Sequence, residues 1–223
     1  DPDAVAQAEA VFSQEADHWL VREIHLFWTR VLKRLDVSAR TLITTVEPGS
    51  CFAGVLAELV LVADRSFMLE GTWEDDDDPP PPATIRLAET NTVFPMGNGL
   101  TRLQTRFWQR PDALAKALAA VDTDLDAAAA AETELVTFTP DDLDWHDELR
   151  VAYEERNSFS PDALTGMEAN YRFVGPETME TKIFSRLSAW QNWIFQRPNA
   201  VGPDGALQRF GTGSRPTFDN RRV

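Results

Sequence analysis

A chain of 223 residues suffices for one ordinary domain with helical extensions, and two large domains do not fit. Hydrophobic residues at 43% and aromatics at 10% supply a buried core, which excludes a disordered chain, and a single cysteine excludes a disulfide scaffold. With 21 Lys and Arg against 36 Asp and Glu the net charge is -15, so nucleic acid is not an expected partner.

No apolar run approaches the roughly 20 residues of a membrane span. The lone Cys51 fits a reducing cytoplasm, and the start Asp1-Pro2-Asp3, without methionine, reads as a processed or partial chain. From Asp3 to Leu35 the residues Val11, Trp19, Leu20, Ile24, Phe27, Trp28, Val31 and Leu35 recur at helical steps. That spacing predicts one long amphipathic helix with a wide buried face. Arg40 to Val46 loses the helical period and is β-branched, a short buried strand ended by Pro48-Gly49. Val55 to Ala63 reads as a helix and Arg65 to Leu69 as a second strand. Glu74 to Pro82, acidic and then proline-rich, predicts an exposed loop.

Ile85 to Phe94 is core-like, and Pro95-Met96-Gly97-Asn98-Gly99 is a turn entering a helix from Leu100 to Phe107. Thr139-Pro140-Asp141-Asp142 and Ser160-Pro161-Asp162 each offer a capping hydroxyl, a first-turn proline and early carboxylates, which predicts two helix starts. A further helix runs from Glu177 to Gln196. Its aromatic cluster Trp190, Trp193 and Phe195 suits a core or a subunit interface better than a stacking platform. The tail after Asn199 is irregular and locally basic through Arg197, Arg209, Arg215, Arg221 and Arg222, suited to pairing with an acidic surface or to holding phosphates.

The stretch from Val46 to Asp64 carries the chemistry. A strand enters a tight glycine-containing loop and then a helix, which aims the first free N–H groups of that helix at one point and stabilises an anion there. An oxygen that gains charge at such a point is stabilised by about 3 kcal/mol per preorganised donor. Glu58, three residues past Val55, lies about one turn further along the same face, in reach of the same point as an acid or base. The alternative for Glu58 is a buried carboxylate paired with Arg40, Arg65 or Arg102. Cys51 reads as a small buried residue with no histidine nearby in sequence to act as its base. His18 and His25, seven apart, lack the step of a two-histidine metal site, and His146 reads as a surface residue.

These residues resemble the crotonase (enoyl-CoA hydratase/isomerase) superfamily, whose pattern is Gly-Gly-Gly-x-Glu-Leu-Ala before Cys-Asp. Gly54 stands at the first glycine, Val55 at the position whose N–H serves the oxyanion hole, and Glu58 at one catalytic glutamate. Pro95 to Leu103 is similar to the family's Pro-Gly-x-Gly-Gly-x-x-Arg-Leu loop, and Asp126 to Pro140 to its short helix and closing strand. The resemblance implies an α/β fold, a partial ββα spiral module over 1–140 that lacks its first strands, followed by a helical region with an irregular tail over 141–223. It implies an acyl-CoA substrate, Val55 and Gly54 at the oxyanion hole, Glu58 and Glu89 as acid and base, and a substrate pocket drawn from Cys51, Phe52, Gly97 and Asn98. It implies no metal, and no cofactor beyond the CoA of the substrate.

Glu47 to Gly54, Ser160 to Asn170, Glu177 to Thr181 and Arg186 to Phe195 resemble more specifically the C-terminal portion of a ring-cleaving branch of that superfamily. That branch serves bacterial breakdown of benzoate in air, opening the epoxide or dihydrodiol of benzoyl-CoA with addition of water and release of formate. The resemblance then implies a preceding segment of the same enzyme as a partner, a homodimer, and a bacterial cytoplasmic setting. Three departures bear on the site. Val55 and Leu56 replace two glycines, the second family glutamate falls on Ala88 with Glu89 beside it, and Glu134 replaces a helix-ending glycine. Glu134 is tolerable there only with its backbone outside the left-handed region. The alternatives are a non-catalytic module serving as scaffold and dimer interface, or a simple enoyl-CoA hydratase or isomerase, which needs two glutamates in register.

Overall fold

The β-branched run Ile43–Val46 and the segment Arg65–Met68, which carries Phe67 and Met68, are both strands. The structure, a computed structural model, describes residues 1–73, 78, 80–172 and 174–222. Most of the loop expected over 74–82, residues 74–77 and 79, therefore lies outside the described residues. Two compact units form, Asp1–Asp36 with Leu42–Leu149, and Val37–Thr41 with the residues from Arg150 onward.

The first unit begins with helices α1 (Pro2–Gln14) and α2 (Trp19–Asp36). Strand β1 (Ile43–Val46), strand β2 (Phe52–Ala53), a 3-10 turn (Gly54–Ala57), helix α3 (Glu58–Leu61) and strand β3 (Arg65–Met68) follow. Then come β4 (Ile85–Arg86), α4 (Thr90–Val93), α5 (Arg102–Arg106), α6 (Pro111–Ala119), β5 (Asp124–Leu125) and α7 (Ala127–Glu132). β1 and β3 pair in parallel, Ile43 opposite Arg65 and Val46 opposite Met68. In a second sheet β4 lies between β2, parallel to it, and β5, antiparallel. Val46, Ala57, Val60, Met68, Ile85, Leu87, Leu103 and Leu125 belong to the core of this unit, so the 3-10 turn packs its Ala57 and helix α3 its Val60 inward. Burying each of the larger of these side chains contributes roughly 1.5–3 kcal/mol.

Helix α8 (Trp145–Asn157) carries the chain across the boundary between the units. In the second unit α9 (Pro161–Arg172) is followed by α10 (Met179–Thr181), a π-helical stretch over Lys182–Ser188, and α11 (Ala189–Ile194). Two short helices, α12 (Pro198–Val201) and α13 (Ala206–Arg209), close it. Glu168, fully buried, is its polar centre. It accepts from Thr41 Oγ1 at 2.7 Å and from the guanidinium groups of Arg156 and Arg172 at 3.0 and 3.2 Å. Arg172 also donates to the Ser38 and Arg40 carbonyls, which fixes the 37–41 segment to α9.

Four local expectations are corrected. The single helix over 3–35 is two helices, because a turn at Glu15–His18 interrupts it and His18 Nδ1 accepts the Leu20 N–H, capping α2. The wide buried face of that helix is also narrower than its apolar pattern. Val21 and Leu32 are buried, whereas Trp19, Leu20, Phe27 and Val31 are exposed, since the helix carries more apolar side chains than one core contact covers. No helix starts at Pro140. Residues 137–140 instead run beside β3, with Met68 N–H donating to Phe138 O and Glu70 N–H to Pro140 O, and α8 begins at the buried Trp145. Glu134 does take the left-handed conformation, at φ 57°. It ends α7 in a Schellman arrangement, with Leu135 N–H donating to Ala130 O and Glu134 N–H to Ala131 O.

Ser160-Pro161 starts α9 as its sequence predicts, and Trp190 and Trp193 pack edge to face with centroids 5.2 Å apart. Ile183, Phe184 and Leu187 on the same helical run are exposed. Within the basic tail Arg197 pairs with the buried Asp162 at 2.8 Å and Arg209 pairs with Asp204.

Candidate active site

Gly49, at φ 87°, completes a tight turn after β1 with Pro48 before it, closed by Ser50 N–H donating to Glu47 O at 2.9 Å. The turn returns the chain into β2, and Gly54, at φ 50°, bends it from β2 into the 3-10 turn. The N–H of Val55 then emerges at the start of that turn, as expected of a strand that passes directly into a helix. It is already engaged. Val55 N–H donates to Glu9 Oε1 at 2.6 Å, and Thr90 Oγ1 donates to Glu9 Oε2 at 2.8 Å.

Glu9 comes from α1, and among the described residues of that helix it alone is buried. Ala6, Ala10 and Ser13 lie on the same helical face, are exposed, and border the cavity beside Glu9. Gly54 is required by this approach. A Cβ there would lie 2.2 Å from Glu9 Oε1. A cavity of about 180 Å³ opens beside the contact, walled by Glu9, Ser13, Ala53, Gly54, Glu89 and Thr90. Arg86 also borders it, its guanidinium held charged by hydrogen bonds from its own N–H groups to Asp124 and Asp3.

Glu58 faces elsewhere. It is fully buried at the start of α3, accepts from Asn91 Nδ2 at 2.7 Å, and pairs with Arg102 Nη1 at 2.8 Å. Of the three arginines that its sequence offers, Arg102 is the partner. The same guanidinium bonds Asp36 and the Leu32 carbonyl through Nη2. Burial pushes the Glu58 carboxyl above its ordinary value of 4.5, against the opposing pull of Arg102 and Asn91, and Asp36 adds to the rise. Asn91 also donates to the Gly54 carbonyl at 3.0 Å and accepts from the Ala88 N–H, so it ties Glu58 to the glycine loop.

The cavity is thus walled by Gly54 and Glu89, while neither Val55, next to Gly54 in the chain, nor Glu58 lines it. Glu89 is exposed at its mouth. Cys51 and Phe52, both half-buried, precede the loop, and Gly97 and Asn98 are exposed in the turn before α5; none of the four walls the cavity. Glu9, Thr90, Asn91 and Asp36 were not evident in the sequence. The small-residue stripe Ala6, Ala10, Ser13 around one carboxylate was the signal available for Glu9.

The chain aligns with an enoyl-CoA hydratase/isomerase from Cupriavidus metallidurans CH34 at a TM-score of 0.61 and 18% identity, over 93% of this chain and 72% of that one. An enoyl-CoA hydratase from Bacillus anthracis aligns at a TM-score of 0.60 and 15% identity, over 90% and 70%. The chain therefore has the crotonase fold of the enoyl-CoA hydratases and isomerases, as its glycine loop implied. Over its whole length it is 49% identical to benzoyl-CoA-dihydrodiol lyase of Aromatoleum evansii, and it spans 39% of that protein's length. It is a homologue of part of that lyase. No family model matches the chain.

Proposed function

We propose that this chain is one part of a lyase that opens the oxidised ring of benzoyl-CoA, as its 2,3-epoxide or dihydrodiol, by adding water and releasing formate. The 49% identity over the whole chain carries this reading. The remaining part of the enzyme is its first partner, an acyl-CoA its substrate, and CoA enters only as part of that substrate. A homodimer in the bacterial cytoplasm is the setting that the reading takes.

In this reading the Val55 N–H, presented by Gly54, stabilises charge on the thioester oxygen, and Glu89 at the cavity mouth moves the proton. Glu58 acts as a positioning residue, holding the glycine loop through Asn91. A second reading has one observation in its favour: Glu58 is held in a buried ion pair with Arg102, which suits a scaffold module whose chemistry lies in the rest of the enzyme.

The experiment co-expresses the chain with the remainder of the enzyme and follows formate release from the epoxide of benzoyl-CoA. Glu89→Gln is expected to slow turnover about a hundredfold, the usual scale for a lost acid or base, with Glu58→Gln as the comparison. Unchanged turnover with Glu89→Gln assigns the chemistry to the rest of the enzyme and leaves this module as scaffold.

A further inference from the structure

We infer that the second unit holds a ligand site of its own. The groove between α9 and the helical run over 182–194 takes a flat aromatic molecule with an O–H or N–H donor at one end and an anionic group at the other. This goes beyond the lyase reading and does not depend on it. The two helical segments run antiparallel: Asp162 pairs with Arg197 at 2.8 Å, a Cβ on Gly166 would lie 3.7 Å from Trp190 Cε3, and the Asn170 carbonyl accepts from Arg186 Nη1. Between them opens a cavity of about 700 Å³, which is the size of a small-molecule site. Met167, Leu187, Trp190, Trp193 and Ile194 give it an apolar wall. Trp190 and Trp193, both half-buried, hold each other edge to face and so present a fixed surface for a ring.

The polar groups decide the chemistry of the ligand. Asp162 is 2% exposed and gives Oδ1 to Arg197, yet its Oδ2 is buried and accepts no hydrogen bond among the described residues. Asn170 Oδ1 is buried in the same condition, and both residues line the cavity. A buried acceptor left without a donor is costly, and a donor on a bound molecule meets that need. The bond to a carboxylate oxygen is the stronger of the two, so the donor end belongs at Asp162. Asn170 lies about 12 Å further along α9. At that end Arg186 is occupied by Glu177 at 2.8 Å, whereas the exposed Lys182, one turn before Arg186, also lines the cavity and its ammonium has no partner among the described residues. The anionic end belongs there, and the separation suits a two-ring system better than a single ring.

The test titrates the full chain with three probes of one shape: 6-hydroxy-2-naphthoate, which has both end groups, 2-naphthoate, which lacks the donor, and 2-naphthol, which lacks the anion. By calorimetry the hydroxy acid is expected to bind about tenfold more tightly than 2-naphthoate, the scale of one hydrogen bond to a charged acceptor. The indole N–H signals that shift in nitrogen-15 spectra are expected to be those of Trp190 and Trp193. Asp162→Asn keeps an acceptor for Arg197 and offers an N–H in place of the second oxygen, so it is expected to cut that preference to below about threefold. Lys182→Ala changes an exposed side chain and is expected to weaken both acids about threefold, leaving 2-naphthol unchanged. That arm stands even where Asp162→Asn fails to fold. Equal affinity of the parent chain for the two acids overturns the site, as do shifts at other tryptophans or no binding by any probe. A chain that sediments as a dimer, becomes a monomer with Leu187→Glu and binds no probe assigns the groove to a second copy and overturns the site as well.

Discussion

Glu58 and Asp36, both buried, share one cation: Arg102 Nη1 lies 2.8 Å from Glu58 and Nη2 2.8 Å from Asp36. The first carboxylate opens α3 and the second ends α2, so one guanidinium joins the helix after the glycine loop to the helix before β1. Replacing Arg102 by methionine keeps most of the volume and leaves two carboxylates in the interior without their common partner. Breaking a buried pair in this way costs about 3–5 kcal/mol. Urea unfolding of Arg102→Met is expected to show a loss of that size. A loss below about 1 kcal/mol, the scale of an exposed pair, would mean that the cluster is hydrated.

The same cluster sets a pH dependence. With the folded carboxyl pushed above 4.5, there is a pH window just above 4.5 in which folded Glu58 binds more proton than the unfolded chain does. Stability from this group is therefore full below about pH 4.5 and falls as pH rises through the raised value. Glu58→Gln carries no such slope. Its stability relative to the parent chain is expected to improve as pH is raised above 4.5 and to level off once pH has passed the raised value, read as the difference in urea midpoints. A difference that does not change with pH would place the Glu58 pKa at its ordinary value.

What the sequence made legible was local. Ile43–Val46 and Arg65–Met68 are strands because β-branched and apolar residues suit a pleat, and Ser160-Pro161 begins a helix because the cap and the proline act within one turn. Gly54 and Val55 were found for the same reason, since a strand, a glycine and a helix in direct succession present an N–H whatever surrounds them. The rest depends on distance along the chain. Glu9 reaches Val55 from 46 positions away, and Glu58 chooses Arg102 over two equally plausible arginines from 44 positions away. Pro140 fails to start a helix because the N–H of Glu70, two residues past β3, claims its carbonyl, a tertiary bond that no local propensity reports. The break between α1 and α2 stayed hidden because the apolar spacing continues through it.

Glu134 joins a local preference to a distant contact. Its left-handed φ of 57° favours glycine, the residue expected at a helix end of this kind. Its carboxylate meets Arg110, whose two terminal nitrogens each lie 2.6 Å from a Glu134 oxygen, while the Glu134 carbonyl accepts from Arg106 Nε. The carboxylate pair is exposed and screened by solvent, so it offsets little. The carbonyl contact survives any substitution. Glu134→Gly, which removes the backbone strain and only the exposed pair, is therefore expected to melt at or above the parent temperature. Glu134→Ala keeps the strain and loses the pair, and is expected to melt below both. Differential scanning of the three chains decides it: if the glycine variant melts lowest, the Arg110 pair outweighs the strain and the glutamate is there for stability.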